Sequence, residues 1–527
     1  MTRAQVRRVA PRLDFDAYPA LDRAQAGHLR HIYNLAQRPG GDWSLMGSAD
    51  PGQETLSAYR YQLAYMAYTL GLAHHHWLPA APGPLAAIFR ELIAKMLRRD
   101  VWGYWRDMSQ SSPRLDPALR RLLPPVTDPV GRENIMYSGH LHAMIGMYSA
   151  LFGDDRYTRP GALTFHYSPL YYGLGPETFA YDAHKLNETI YWQMVENGWL
   201  GVACEPNCIF LVCNQFPMLG FRFHDVTHGT AYAEEAATAY HDAWSRKGLL
   251  GPDGHLTLFL RQRQDTLISG NPGMDAWTLS VMNAWNREFV DSVGVAPVMR
   301  GLERLGDGAL AARLWRGVRS LGAPGETPPR LELEEMRPDL GFYAAFLSER
   351  GHTEALAHLL RYADTRLGPT WERGGLYYPR NDAAVSEDGE PSFVEPLTGN
   401  VLLGYARINV PHGLRALYER PSLSAGANEP HIASMSATVD ILRAWWDSAR
   451  DLLAISVQPS EGATQLRVDL AGFHRERPWT LLWDGVVVAE SGAYDGHAEL
   501  RVEETASGLC ISAPLARRAD LAVLFGS

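Results

Sequence analysis

The chain contains no run of 18 apolar residues, so no membrane-crossing helix is expected. Its N-terminus, MTRAQVRRVAPRL, is basic but has no apolar stretch of signal-peptide length. Basic charge is also short: 49 Lys and Arg stand against 59 Asp and Glu, a net charge of -10. A phosphate-reading surface is normally basic, so nucleic acid is excluded as the expected partner. There is no GxxxxGK(S/T), no GxGxxG after a strand, no HExxH and no GxSxG. Nucleotide-dependent chemistry, zincin proteolysis and α/β-hydrolase chemistry therefore lose their usual signatures. Cysteine is scarcest of all, with four in 527 residues, and three of these, Cys204, Cys208 and Cys213, crowd into one ten-residue window. That is not the disulfide framework of a small secreted fold, and a reducing, cytoplasmic setting is expected. Cys510, alone in a β-type run, reads as a small buried hydrophobe.

What is present is helical periodicity. From about Leu21 to Arg420 apolar residues recur at three and four positions, with Gly, Pro or Asn-Gly breaks every 15 to 30 residues. LSAYRYQLAYMAYTLGLA from Leu56, NIMYSGHLHAMIGMYSALF from Asn134 and TGNVLLGYARINVPHGLRALYE from Thr398 are examples. Many segments are apolar around most of their circumference, as a helix sandwiched between others would be. About a dozen helices in some 400 residues predict an all-α (α/α)6 barrel over residues 1–420. No self-similar period marks an open solenoid. Residues 421–435 read as a Pro-, Ser- and Gly-rich linker. After a short helix at Ile441–Ser448, alternating runs such as TQLRVDLAGF and WTLLWDGVVVAES predict an appended β-sandwich within 436–527.

The cysteine window, GVACEPNCIFLVCNQF from Gly201, has three explanations. Pro206 suits the first turn of a helix, which would put Cys204 at its mouth and lower its pKa through the helix dipole. Thiol acid/base or nucleophilic chemistry with a nearby histidine then follows. The second explanation is three buried structural thiols, since free Cys is often buried. The third is zinc, although C-x3-C-x4-C lacks the usual C-x2-C knuckle. Among histidines, His140 shares a helical face with Met136 and Met144, while His142 points elsewhere. The His74–His76 run reads as a helix end at the surface.

These segments together resemble the linalool dehydratase-isomerase family. The likeness is carried, in order, by RYQLAYMAYTLGLA from Arg60, VWGYW from Val101, ENIMYSGHLHAMIGMY from Glu133, GDDRY from Gly153, CEPNCIFLVCN from Cys204 and DAWTL from Asp275. The resemblance implies an α/α6 barrel with a central active site, a ring-shaped homo-oligomer (a pentamer in the founding member), and dehydration and isomerisation of an allylic or tertiary alcohol. It assigns acid/base work to Cys204 and Cys213, an active-site role to His140 and Tyr61, and the apolar wall to Met136 and Phe210. Trp43, Tyr65, Trp277 and Glu205, in or beside the matching segments, are expected at the substrate. The resemblance places the family's catalytic aspartate near Asn34, the nearest acid being Asp42, and a family pocket tyrosine near Gly273, with Asp275 beside it. Asp42 and Asp275 are therefore the candidate acids. The family's disulfide cysteines are missing, with Arg98 at one position.

The expected protein is a lyase, a dehydratase with isomerase activity, needing neither metal nor organic cofactor and acting on a small hydrophobic alcohol or alkene. Three alternatives stay open. The same cavity could protonate and cyclise a prenyl chain. A carbohydrate-active hydrolase or lyase could use paired carboxylates drawn from Glu205, Asp275 and Glu177. A barrel without a cavity would be a scaffold.

Overall fold

The computed structural model describes residues 13–47, 52–53, 56–173, 175–313, 315–321, 330–336, 340–383, 386–387, 392–421, 429–474, 477–494 and 499–526. Six helices pack each on the next and the last on the first: Tyr59–His76, Ile135–Phe152, Gln215–His228, Pro272–Met282, Leu340–Glu349 and Leu402–Ile408. They are buried on every face; in Ile135–Phe152 each residue from Ile135 to Leu151 is buried. This is why the stretch is apolar all round rather than striped. Between them in the chain come helices with one buried stripe. Tyr232–Lys247 buries Ala233, Ala236, Tyr240, Ala243 and Trp244, spaced by three and four, and sends its charges outward. Close approach among the inner helices is set by glycine: a Cβ on Gly341 would run into the Thr398 carbonyl oxygen.

The helical region is not purely α. Antiparallel hairpins interrupt it at Leu163–Tyr167 with Glu177–Tyr181, at Leu302–Arg304 with Leu310–Ala312 and at Thr370–Glu372 with Gly375–Tyr377. Most are three to five residues long, too short for alternation to stand out against the helical texture. The segment from Thr398 is not one helix. A π turn at Leu397–Val401 leads into Leu402–Ile408, and Asn409 in extended conformation, with Pro411 after it, breaks the chain before Gly413–Glu419. The helix at Tyr59–His76 does end in the histidine run, but His74 is buried and bonded to the Leu78 carbonyl rather than lying at the surface.

The C-terminal region is built of sheets. One has four strands in the order His431–Met435, Thr464–Ala471, Leu509–Leu515, Arg501–Glu504. The other has six, in the order Val439–Asp447, Leu452–Pro459, Ala519–Phe525, Trp479–Trp483, Val486–Glu490, Ala493–Tyr494. The helix expected at Ile441–Ser448 is instead the strand Val439–Asp447, because its β-branched and aromatic residues pair with Leu452–Pro459. Strand begins within the expected linker, at His431; residues 422–428 of that stretch lie outside the described residues. Cys510 is a buried strand residue, as expected. Arg30 ties the two regions together, reaching from the helix Arg23–Ala36 to Asp440 (2.6 Å) and to the carbonyls of Ala437 (2.6 Å) and Val439 (2.8 Å).

Candidate active site

The window around the cysteines is not a helix. Glu205, Pro206, Asn207 and Cys208 form a tight turn, with the Cys208 amide donating to the Glu205 carbonyl at 2.9 Å. Pro206 occupies the second position and Asn207, at φ +76°, the third, the pattern of a type II turn. The Cys204 amide then donates to the Cys208 carbonyl (2.9 Å), and Cys208–Phe210 continues as a strand beside Thr257–Arg261. Cys213 follows in the turn that leads into Gln215–His228. Pro206 is therefore a turn residue and not the start of a helix, and Cys204 does not stand at the mouth of a helix of its own window.

Asn214 brings the outer two cysteines together. Its side chain accepts from the Val202 amide (2.7 Å) and donates to the carbonyls of Val202 (3.0 Å) and Phe210 (2.8 Å). Folded back in this way, Cys204 and Cys213 lie close enough to act electrostatically on each other. Burial first, and then the hydrogen bond to Cys213, holds Cys204 well above the usual thiol range, partly offset by the Phe210 amide. The expected lowered pKa is reversed because removal from water penalises thiolate more than the local donors favour it. All four cysteines are free. Cys208 turns the other way, its sulfur donating to the Leu115 carbonyl at 3.7 Å, and its thiol is pushed up to about 12, chiefly by burial. Among the described residues the three thiols form no common metal-ligand group.

The neighbouring sequence segments converge on this pair. The amides of Asn134 and Ile135, unpaired donors at the start of the His140 helix, bond to the carbonyls of Cys204 and Ala203 (both 3.2 Å). Asn134 also accepts from the Tyr104 hydroxyl (2.6 Å), which brings in the VWGYW segment. Arg60 is fully buried, with its guanidinium over the rings of Tyr104 (4.1 Å) and Tyr61 (4.5 Å) and its donors on the Gln53 carbonyl (2.8 Å) and the Met136 sulfur (3.4 Å). Tyr61 is the link across the site. Its hydroxyl is 3.4 Å from the Met136 sulfur, it interacts electrostatically with both Cys213 and Cys204, and its ring meets His140 and Trp277 edge-on at 5.5 and 5.7 Å.

His140 has no exposed surface, and its Nδ1 is 2.9 Å from the Tyr68 hydroxyl. Its Nε2 is buried without a hydrogen-bond partner, and the ring lies against Phe216 at 3.8 Å between centroids. Burial, with the charge of Arg60, pushes it well below the ordinary histidine range, so it is neutral. Tyr65 accepts from the Trp277 indole (2.7 Å), and Trp277 stacks on Phe342 at 4.4 Å, so both line the same aromatic wall. The Phe210 ring stacks on Phe259 (4.6 Å), so it is the Phe210 amide that meets the Cys204 thiol.

Not every expected residue is brought here. Asp42 is half-buried near the surface, its carboxylate bound by Ser44 and Arg38. Trp43 stacks on Tyr59 and donates to Asp100. Asp275 is buried, but its carboxylate accepts from the Leu256 amide (3.0 Å) and bonds His255 (2.6 Å), fastening the loop before its own helix. Asn34 donates to the carbonyls of Glu372 and Arg373. Glu177 lies in an exposed strand and accepts from Thr127. Glu205 is the carboxylate whose charge acts on Cys204, Tyr104 and Arg60. Arg60 and Tyr104 are the site residues that the sequence reading passed over, although both stand inside matching segments.

An apolar cleft of about 260 Å³ lies elsewhere, between the helix Arg23–Ala36 and the strand Val439–Asp447, lined by Leu29, Leu85 and Met435. It holds the Arg30–Asp440 pair but no thiol or histidine, so the chemistry points to the buried cluster. No helix among the described residues is long and apolar enough to cross a membrane.

Among solved structures, the chain is similar to the unsaturated glucuronyl hydrolase of Bacillus sp., at 10% identity over 76% of this chain and 98% of that one (TM-score 0.39). It is similar to an inactive variant of an alpha-1,6-mannanase of Salegentibacter sp., at 11% identity over 75% and 100% (TM-score 0.37). An endoglucanase of Clostridium thermocellum matches at 9% identity over 96% and 93% (TM-score 0.34). In sequence, the family model described as linalool dehydratase/isomerase matches residues 60–384, more than half of the chain and the part that carries both thiols, Tyr61 and His140, and the protein belongs to that family.

Proposed function

We propose that the protein is a hydro-lyase and isomerase acting on an allylic or tertiary terpenoid-like alcohol, with the Cys204–Cys213 pair as its proton-handling group. One observation carries this reading: two buried thiols that act electrostatically on each other and on Tyr61, whose ring stands against His140 and Trp277. Hydroxide is a poor leaving group, so a donor must protonate the alcohol oxygen as the C–O bond breaks. Cys204, kept as the thiol by burial, supplies that proton, and water departs. The electron-poor carbon left behind is stabilised by the faces of Tyr61, Tyr65 and Trp277. The thiolate, beside Cys213, then takes a proton from the neighbouring carbon. The alkene forms and both thiols are restored. Return of the water to the other end of the allylic cation gives the isomer.

His140 acts as a neutral hydrogen-bonding group. With the Tyr68 hydroxyl donating to Nδ1, Nε2 carries the ring proton and holds the hydroxyl or the departing water. Met136 completes the apolar wall, Phe210 serves the site through its backbone amide, and Glu205 with Arg60 balances charge beside the thiols. Asp42 and Asp275, engaged by other partners, have no step in this scheme. A carbohydrate-active reading would need two carboxyls about 5–10 Å apart across the substrate, whereas the carboxylate acting on Cys204 is Glu205, and Asp275 and Glu177 are engaged elsewhere. The cycle of six inner helices supports an (α/α)6 barrel as the frame, and the two C-terminal sheets support a β-sandwich appended to it.

The test is product analysis by gas chromatography with ten-carbon tertiary and primary allylic alcohols and with longer prenyl alcohols. Dehydrated and rearranged acyclic products are expected, whereas cyclic products would make it a cyclase. Cys204→Ala and Cys213→Ala should each lower turnover by about 10²-fold or more while the circular dichroism spectrum is kept. Unchanged rates in both variants would sink the scheme.

A further inference from the structure

At the far end of the helix that begins beside Cys213, three imidazoles meet. His224 and His228 are four residues apart near the end of Gln215–His228 and so share a face; His184 comes from the first turn of the neighbouring helix, Ala183–Glu196. One ring nitrogen from each lies within 4.8 Å of the other two, and His184 Nδ1 is 3.0 Å from His224 Nε2. A helix of 14 residues is about 20 Å long, so this cluster stands well away from the thiol pair.

The surroundings orient His224 as a ligand. The Asp225 carboxylate accepts from the amides of Tyr232 (2.9 Å) and Ala233 (2.7 Å) and from the Thr230 hydroxyl (2.6 Å). Thr230 has one proton and gives it to Asp225, so towards His224 Nδ1, at 2.9 Å, it offers a lone pair. The His224 ring proton therefore sits on Nδ1, and the Nε2 lone pair is aimed at the other two imidazoles. A carboxylate relay of this kind, which fixes the tautomer and the ring plane, is the usual support of a metal-bound histidine.

We propose that His184, His224 and His228 form a binding site for a divalent first-row transition-metal ion, with zinc as the natural probe. Metal–nitrogen bonds of about 2.0–2.1 Å in a tetrahedron set ligand nitrogens roughly 3.3 Å apart. The His184–His224 pair is within a few tenths of an ångström of this, and His228 and the exposed His184 can close the remainder by side-chain rotation. On binding, the proton that His184 Nδ1 shares with His224 moves to its Nε2 by exchange with solvent, so the ion meets three neutral imidazoles. Imidazole sets of this kind suit zinc, copper and nickel rather than magnesium or calcium. Water completes the tetrahedron on the solvent side. The ion joins two helices far from the thiols, so its effect is to clamp Ala183–Glu196 onto Gln215–His228.

The experiment uses the full chain without a polyhistidine tag, loaded with zinc, dialysed against metal-free buffer and measured by atomic emission. About one zinc per chain is expected, falling below a tenth in the His184→Ala, His228→Ala double variant. Zinc should raise the thermal midpoint of the wild type and leave that of the variant unmoved. Cobalt should give the intense visible absorption of a tetrahedral site in the wild type only. If the double variant is unfolded by circular dichroism, the single His184→Gln variant, altered at an exposed position, decides the matter by the same zinc count. Thr230→Val keeps all three ligands and should weaken zinc binding about 10- to 100-fold in competition with a chromophoric chelator. Equal zinc retention and equal midpoints in wild type and ligand variants would overturn the site.

Discussion

Cys204 and Asp275 show how burial redirects a side chain whose type alone says little. Both are removed from water, and both are pushed towards their neutral forms, the thiol well above its usual range and the carboxyl to about 6. For Cys204 this keeps the proton that the proposed reaction has it donate. For Asp275 it makes a pH-dependent fastening, because burial outweighs the bonds from His255 and the Leu256 amide. A carboxyl whose pKa is raised on folding adds stability in full below its unfolded value near 4 and loses it as pH rises through about 6. Asp275→Asn keeps an accepting oxygen and removes the titration. Denaturant midpoints taken from pH 4 to pH 7 should show the wild type losing up to ~3 kcal/mol relative to this variant, the equivalent of about two pKa units. A constant difference across that range would show that Asp275 does not titrate there.

At the scale of elements, the inner helices depend on small residues where backbones approach. Gly341 faces the Thr398 carbonyl oxygen, a backbone atom that cannot rotate aside. Gly341→Ala should force Leu340–Glu349 away from the turn Leu397–Val401 and cost about 1–3 kcal/mol, read as a lower thermal midpoint. The same scale explains the misreading of the cysteine window. Proline is at home both in the first turn of a helix and in the second position of a β-turn. What decides for the turn is Asn207, one of the few non-glycine residues that tolerate positive φ, together with the strand Thr257–Arg261 some fifty residues on, which pairs with Cys208–Phe210. Periodicity within the window contains neither fact. By contrast the His140 helix was legible, since its apolar positions run unbroken for five turns and its two histidines are two apart. In the structure His140 faces Tyr68 while His142 bonds Asn187.

At the scale of the whole molecule, the joint between helices and C-terminal sheets includes a buried cation beside backbone bonds such as Ala80 N–H to the Ala444 carbonyl and Ile432 N–H to the Ala80 carbonyl. Arg30 and Asp440 are each at least nine-tenths buried, and the guanidinium also serves two carbonyls. Arg30→Ala leaves Asp440 and those carbonyls without their donor and should cost about 3–5 kcal/mol, measured by chemical denaturation. Replacing both partners by apolar residues of similar volume should recover most of the loss; a double variant as unstable as the single one would mean that packing of the arginine stem dominates.

The sequence by itself determined most of the helical segments and their apolar faces, which are local properties written in spacing and residue type, and its likeness to the family singled out two cysteines, one histidine and one tyrosine as candidates. Only the tertiary structure decided that Tyr104 and Arg60 join the site, that Asp42 and Asp275 are engaged elsewhere, that Cys204 stays protonated, and that His184 meets His224 and His228. The physical reason is the same in each case. Partners far apart in the chain, and the removal of water around them, set both the geometry and the protonation of a side chain, and neither is a function of its neighbours in sequence.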